Sequence, residues 1–384
     1  MPFLVPYAKH RHTHRRHGAV AALLVLLSGC AQRKTVTVVA VPDTTSRGVG
    51  VEDRGSQNQA ATNWRVDTRE HVDLWLHGFA MLQNDASLVP YFRLGYRASL
   101  ASVRATGASQ LDANRQQLQQ RVTENLNLVS AQFLALYFAS WDDMRQGVAR
   151  FLGDGGEIRA ARNNEEVRMY ATLRTYFPSA ADRDWLRLFM SALEDERSRF
   201  YRSYWLQQQQ LHAGMRSQVM ALWTGTYREA FGRFMRHTMP RQGLVLLSLP
   251  LGGEGRTLSV GQGDNFITVN LPPPGGDGRE AMYVVAHEIV GSTSAAAVRD
   301  NASAADERSG ETAKWITLAA VRGGAILLER VAPELLDGYH RYYLRVARAD
   351  PGNDARAAFL ATFPLPATIA GALERQIDGA LGGI

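Results

Sequence analysis

One adjacent pair of ionisable residues, His287 and Glu288, lies inside an otherwise apolar stretch of the chain. Residues 281–291 read AMYVVAHEIVG, with apolar side chains on both sides of the pair. An ionised carboxylate in apolar surroundings is costly unless it is paired or bound to a metal ion, so the pair needs a partner. Imidazole is a metal ligand, and a neighbouring carboxylate can act as a general base. The pair is therefore the first candidate for chemistry.

The segment resembles the zinc-metallopeptidase signature His-Glu-x-x-His, in which two histidines one helical turn apart bind zinc and the glutamate activates the metal-bound water. His287 and Glu288 match the first two positions, whereas Gly291 stands where the second histidine belongs. In the gluzincin branch of the zincins the third ligand is a glutamate on a following helix. Glu311, nineteen residues beyond Gly291, matches that position. The resemblance implies Glu288 as the catalytic residue and His287 and Glu311 as zinc ligands.

Two protein ligands are fewer than the three that catalytic zinc normally takes. The sequence leaves three hypotheses open. The first is a peptidase-like hydrolase with an atypical zinc site, to which His340, Asp300 or Asp306 adds a ligand. The second is a non-catalytic, zincin-like domain that binds a peptide or an envelope protein. In that case His287 and Glu288 are remnants of an ancestral site, satisfied by hydrogen bonds within the fold. The third is a structural lipoprotein whose resemblance to zincins is accidental and which needs no function for His287; Tyr339 and His340 then cap, pack or face solvent.

The N-terminal residues predict export and lipidation. Residues 19–27 form an apolar run preceded by basic residues and no acidic ones, which is typical of a signal peptide. The run is less than half of the roughly 20 residues that a membrane-spanning helix needs. It ends in Leu27-Ser28-Gly29-Cys30, which resembles the bacterial lipobox and implies that Cys30 becomes the lipidated first residue. The sequence therefore predicts a lipid anchor in the cell envelope. Ala31 and Gln32 lack the aspartate of an inner-membrane retention signal, which favours the outer membrane.

Composition limits the partners of the mature chain. The formal net charge is +6, but Lys9, Arg11, Arg15 and Arg16 lie in the predicted signal. No basic segment interleaved with aromatic residues remains, so nucleic acid is not expected as a partner. Cys30 is the only cysteine, and an exported protein without disulfides depends on its core alone.

Residue patterns predict an α+β protein that is mostly helical. Residues 30–63 are polar and predict a flexible tether after the signal peptide, 1–29. Residues 64–240 predict a helical lobe that begins with a capping box at Asp67–Glu70, and residues 241–384 predict the zincin-like lobe. Glycines and prolines after residue 240 delimit two or three strands, including 243–251 and 265–271, and helices over 279–298, 311–331 and 333–349 follow.

Two further segments are interpreted as structural. The aromatic residues Phe200, Tyr201, Tyr204 and Trp205 recur at a spacing that predicts core packing. The glutamine run 207–210 lies inside a helical stretch and predicts a solvent-exposed face.

Overall fold

The computed structural model describes residues 63–83, 87–104, 109–259 and 265–382, which belong to one compact unit. The predicted signal peptide, Cys30 and nearly all of the tether lie outside these residues. The architecture is mostly helical with a small mixed sheet, which confirms the α+β class.

Helices before the main sheet strands form the first part of the described chain. They are α1 (Glu70–Leu82), α2 (Tyr96–Ala101), α3 (Gln110–Ala113), α4 (Arg115–Glu124), α5 (Trp141–Gly153), α6 (Asn164–Tyr176), α7 (Ala180–Glu196), α8 (Arg202–Leu211), α9 (Ala213–Leu222) and α10 (Arg228–Thr238). Residues Leu126–Tyr137 and Ile158–Ala160 are 3₁₀-helical, and Arg197–Tyr201 and Trp223–Tyr227 are π-helical. The two π-helical turns and His212 divide the helical chain between Ala180 and Thr238 into four α-helices.

Helices after the sheet complete the chain. They are α11 (Arg279–Ile289), α12 (Gly291–Arg299), α13 (Ala304–Ser309), α14 (Glu311–Val331), α15 (Leu336–Val346), α16 (Ala355–Thr362) and α17 (Ala367–Gly382), with a 3₁₀ turn at Pro333–Leu335. In the described ranges no single helix is long and apolar enough to cross a membrane, and only the pair α16 and α17, bent by 113°, passes that test jointly.

The sheet contains β1 (Asn63–Asp67), β2 (Gln242–Ser248), β3 (Arg256–Ser259) and β4 (Asn265–Asn270) in the order β1-β2-β4-β3. β1, β2 and β4 run parallel, and β3 is an antiparallel edge strand. Alternate residues of β2 and β4 face opposite sides. Val245 and Ile267 pack with the C-terminal helices and α9–α10, whereas Leu246 and Phe266 pack with α1 and the helices up to α7.

β1 joins the start of the described chain to the strands that follow residue 240. The sequence places Asn63 at the end of the tether and residues 64–240 in a helical lobe, and β1 pairs with β2 in the sheet. Trp64 is fully buried, its indole nitrogen donates to the carbonyl of Pro240 at 3.1 Å, and its own carbonyl accepts from Trp223 at 2.7 Å. The two apolar clusters meet across the sheet, and the helices change cluster between Tyr201 and Met215.

The predicted capping box at Asp67 is wrong. The α1 helix begins at Glu70, and its N-cap residue Arg69 makes no side-chain capping bond. Asp67 instead ends β1, and its carboxylate accepts from the backbone N–H of Thr68. The parallel pairing of β1 with β2 places Asp67 in the strand, which leaves it too early to cap the helix.

Candidate functional site

His287 and Glu288 lie on α11, whose side chains are buried from Ala281 to Ile289. His287 is 1% exposed and Glu288 6% exposed. The His287 Nε2 atom lies 3.5 Å from the Glu288 Oε1 atom, so the two side chains turn towards each other. The imidazole also lies against the ring of Tyr343 on α15, with the ring centroids 5.5 Å apart. The pair is therefore enclosed by the protein.

The carboxylate of Glu288 binds the chain segment that leads into β3. The backbone N–H of Gly255 donates to Glu288 Oε1 at 2.9 Å, and the Thr257 hydroxyl donates to the Glu288 carbonyl at 3.1 Å. A Cβ atom at Gly255 would lie 1.8 Å from the carbonyl oxygen of Thr268, so only glycine allows this close approach. The glycine permits β3 to run beside α11.

Residues 252–255, which we call the glycine segment, are also held from α15. The Tyr343 hydroxyl donates to the carbonyl of Gly253 at 3.0 Å, and the Tyr342 hydroxyl donates to that of Gly252 at 3.2 Å. Burial raises the pKa of Tyr343 well above its ordinary value, so its hydroxyl stays protonated and remains a donor. Glu254, between these contacts, is 5% exposed. The protein's own backbone thus occupies the space beside the His287–Glu288 pair.

Glu311, the other predicted ligand, has different surroundings. It begins α14, its side chain is 42% exposed, and its carboxylate accepts from Lys314 at 3.2 Å. Gly323 of α14 packs against Val290, which lies three residues after His287, because a Cβ atom at Gly323 would be 3.2 Å from the Val290 side chain. The end of α11 therefore meets α14 near Gly323. Glu311 precedes Gly323 by twelve residues, or about 18 Å along a helix axis. The structure brings Glu288 to His287 and leaves Glu311 at the surface end of α14.

Gly291 also differs from its expected geometry. The sequence treats 279–298 as one helix, in which positions 287 and 291 share a face. The structure ends α11 at Ile289 and begins α12 at Gly291, with Val290 between them at ψ −6°. Because this ψ departs from the helical value near −42°, the two positions no longer project as in a continuous helix.

Tyr339 and the further candidate zinc ligands His340, Asp300 and Asp306 make other contacts. The Tyr339 hydroxyl donates to the carbonyl of Val321 at 2.7 Å. The His340 ring packs on Phe359 at 4.5 Å, and burial lowers its pKa to about 4. Asp306 caps α13 together with Ser303, and Asp300 accepts from Gln376. In the part of the chain that the structure describes, no group of three or more His, Cys, Asp or Glu could hold a metal ion. These side chains do not fit a three-ligand catalytic zinc site.

A second buried polar cluster lies on α1, at residues that the sequence did not single out. His77 and Glu196 are both fully buried, with His77 Nε2 3.1 Å from Glu196 Oε1. Arg104 donates to both carboxylate oxygens of Glu196, at 2.9 and 2.8 Å. Burial alone would raise the pKa of Glu196, but the His77 and Arg104 contacts lower it to about 2. The carboxylate is therefore ionised and paired inside the protein.

Asp73 lies one helical turn before His77 and is 1% exposed. It accepts from the indole N–H of Trp205 at 2.9 Å. Burial raises the pKa of Asp73 to about 7. The signal that singled out His287 was present here too, because Asp73 and His77 share one face of an apolar helix.

A groove of about 740 Å³ lies on α5 and α7. Its lining includes Arg145, Val148, Arg187, Met190 and Asp195. None of the predicted site residues contributes to it.

No family model, no curated protein and no solved structure matches this chain.

Proposed function

We propose that this protein is a lipid-anchored scaffold or binding protein of the bacterial cell envelope, with a zincin-like C-terminal part that does not catalyse hydrolysis. The observation that carries the proposal is the hydrogen bond from the Gly255 N–H to the Glu288 carboxylate. In a metallopeptidase this carboxylate must face a metal-bound water. Here it faces the protein's own glycine segment, and Tyr342 and Tyr343 hold that segment in place.

The sheet supports kinship with zincins and suggests where a partner would bind. Zincin folds lay an edge strand beside the active-site helix, where it pairs with the substrate backbone. β3 is an antiparallel edge strand, and Thr257 contacts α11 through Glu288. A peptide or envelope protein that presents an extended segment would add a strand at this edge. Binding without hydrolysis follows because Glu288 is already engaged.

Substitutions of Glu288 separate the structural role from the catalytic one. Glu288→Ala leaves the Gly255 N–H without its acceptor, and we expect the free energy of unfolding to fall by about 1–3 kcal/mol. Glu288→Gln keeps an acceptor oxygen and should restore most of the loss. Urea denaturation measures both variants, and Glu311→Gln is the control, expected to stay within about 0.5 kcal/mol of the parent because its ion pair is exposed.

The same proteins are assayed for bound zinc and for zinc-dependent cleavage of a denatured protein substrate. We expect neither stoichiometric zinc nor cleavage in the parent. The metallopeptidase hypothesis would be supported, and ours rejected, by one zinc per chain together with cleavage that Glu288→Gln abolishes without loss of stability.

The lipid anchor is tested separately because Cys30 lies outside the described residues. Replacing Cys30 with serine removes the sulfur to which a diacylglyceryl group is attached. We expect the Cys30→Ser protein to lose incorporation of a labelled fatty acid and to accumulate as the precursor in cells. Normal processing and membrane retention of this variant would contradict the anchor.

A further inference from the structure

Side chains from a distant helix meet the carboxyl ends of the parallel strands. β1, β2 and β4 end at Asp67, Ser248 and Asn270. Just beyond β1, the Thr68 hydroxyl donates to Gln209 Oε1 at 3.2 Å. Beyond β2 and β4, the Arg93 backbone donates to Pro250 at 2.8 Å and its guanidinium to the Leu271 carbonyl at 2.5 Å. In open parallel sheets this edge is where ligands bind.

Three polar side chains lie around the junction of α8 and α9, near this edge. Gln209, His212 and Arg216 are spaced three and four residues apart. Gln209 is 8% exposed and His212 3% exposed, so the glutamine run is not wholly solvent-exposed as predicted. The Arg216 guanidinium folds back and donates to the Gln209 carbonyl at 3.2 Å. The three side chains therefore lie together.

Each of these side chains has one buried polar atom with no hydrogen-bond partner among the described residues. The atoms are Gln209 Nε2, His212 Nε2 and Arg216 Nε. His212 Nδ1 lies 2.9 Å from the Gln208 carbonyl and must be the donor there, because a carbonyl oxygen only accepts. In neutral His212 the Nε2 atom is consequently an acceptor. Two donors and one acceptor are thus left at the site, and buried polar groups normally have partners.

The charges at this site are mainly positive. Burial lowers the pKa of His212, and the positive charges of Arg93 and Arg216 lower it further. The acidic group near Arg93 is Asp73, whose burial raises its pKa to about 7, so that its charge is only partial at neutral pH. An anion would therefore be attracted to this site.

We propose that Arg93, Gln209, His212 and Arg216 bind a phosphate group at the carboxyl ends of the parallel strands. Guanidinium groups match phosphate oxygens in geometry and charge, and the Gln209 amide supplies a further N–H donor. The neutral His212 Nε2 accepts from the hydroxyl of a singly or doubly protonated phosphate. Sulfate carries no proton near neutral pH, so it leaves that acceptor unused and binds more weakly.

The bound phosphate group belongs either to the free ion or to a phosphate ester, such as a lipid headgroup. The experiment titrates the full chain by calorimetry at constant ionic strength with inorganic phosphate, glycerol 3-phosphate and sulfate. We expect saturable binding of inorganic phosphate, at least tenfold weaker binding of sulfate, and a parallel rise in the melting temperature. Tighter binding of glycerol 3-phosphate than of inorganic phosphate would identify an ester as the ligand.

Variants connect the binding to the named side chains. Arg216→Gln should weaken phosphate binding at least tenfold. Arg216→Lys should weaken it less, because lysine keeps the positive charge but lacks the paired N–H donors of the guanidinium group. Arg233→Gln, on the exposed face of α10, is the control and should bind like the parent. Circular dichroism and the melting temperature without ligand establish that each variant is folded. Absence of saturable binding to the folded parent, or unchanged binding in folded Arg216→Gln, would overturn the proposal.

Discussion

Two apolar helices, α11 and α1, bury ionisable side chains. The hydrogen-bond partners of these side chains lie at very different distances along the chain. On α11, Glu288 accepts from Gly255, 33 positions away. On α1, Asp73 and His77 are bound by Trp205 and Glu196, 132 and 119 positions away. The α11 pair is held mainly by a neutral backbone donor and by tyrosines, whereas the α1 cluster contains a buried ion pair. The comparison teaches that the sequence can indicate which side chains are buried ionisable groups, but it does not reveal their partners, which lie at least 33 positions away on both helices.

The largest expected effect comes from breaking the ion pair on the α1 side. Arg104→Met removes the cation from Glu196 and leaves a buried carboxylate with His77 alone. We expect the free energy of unfolding to fall by about 3–5 kcal/mol. The double variant Arg104→Met/Glu196→Gln should be more stable than Arg104→Met, because it no longer buries an unpaired charge. Urea denaturation at neutral pH gives both values.

A matched control is Arg187→Met, since Arg187 pairs with Asp184 at the surface. The control should change stability by less than about 1 kcal/mol. If Arg104→Met were as mild as the control, the two clusters would be energetically alike and the contrast drawn above would fail.

A smaller, pH-dependent effect is expected at Asp73. Burial raises its pKa in the folded protein to about 7 from an ordinary value of 3.8. The folded state therefore binds this proton more tightly than the unfolded state does. Asp73 contributes most to stability at acid pH, and that contribution is lost as the pH rises through about 7. Asparagine keeps an acceptor for the Trp205 indole and does not ionise.

The prediction for Asp73→Asn follows from this sign. Relative to the parent, the variant should gain at least about 1 kcal/mol of stability between pH 5 and pH 8. Unfolding at both pH values, followed by Trp fluorescence, measures the difference. A constant difference between parent and variant would mean that Asp73 does not change its protonation in this range. The Arg104–Glu196 ion pair would then be the only energetic difference expected between the buried groups of α1 and those of α11.

Sequence patterns predicted much of the fold after residue 240. The strands near 243–251 and 265–271 and the helices over 279–298 and 311–331 correspond to observed elements, because each has a strong local hydrophobic period or a glycine and proline boundary. β1 was missed since its five residues are stable only through pairing with Gln242–Ser248, far along the chain. The sequence also could not reveal that Val290 interrupts the helix, because no proline or glycine occupies that position.

The candidate site was predictable only in part. The adjacency of His287 and Glu288 was visible, and the structure confirms that both are buried. The roles of Glu288 and Glu311 in catalysis and zinc binding stay predictions. Gly255 as the partner of Glu288 could not be foreseen, because a backbone N–H has no residue-type signature. For His212 and Arg216, their helical spacing was available, but their relation to Arg93 depends on how the sheet brings distant segments together.

The pairing of β1 also determines how the chain can be made. Trp64 and Pro240 are 176 positions apart, and β1 has no strand partner until the residues of β2 have been synthesised. At about 5–20 residues per second, that interval lasts roughly 10–35 s. During this interval the buried side of β1 lacks its native partners. Completion of the sheet is therefore a late event in biogenesis.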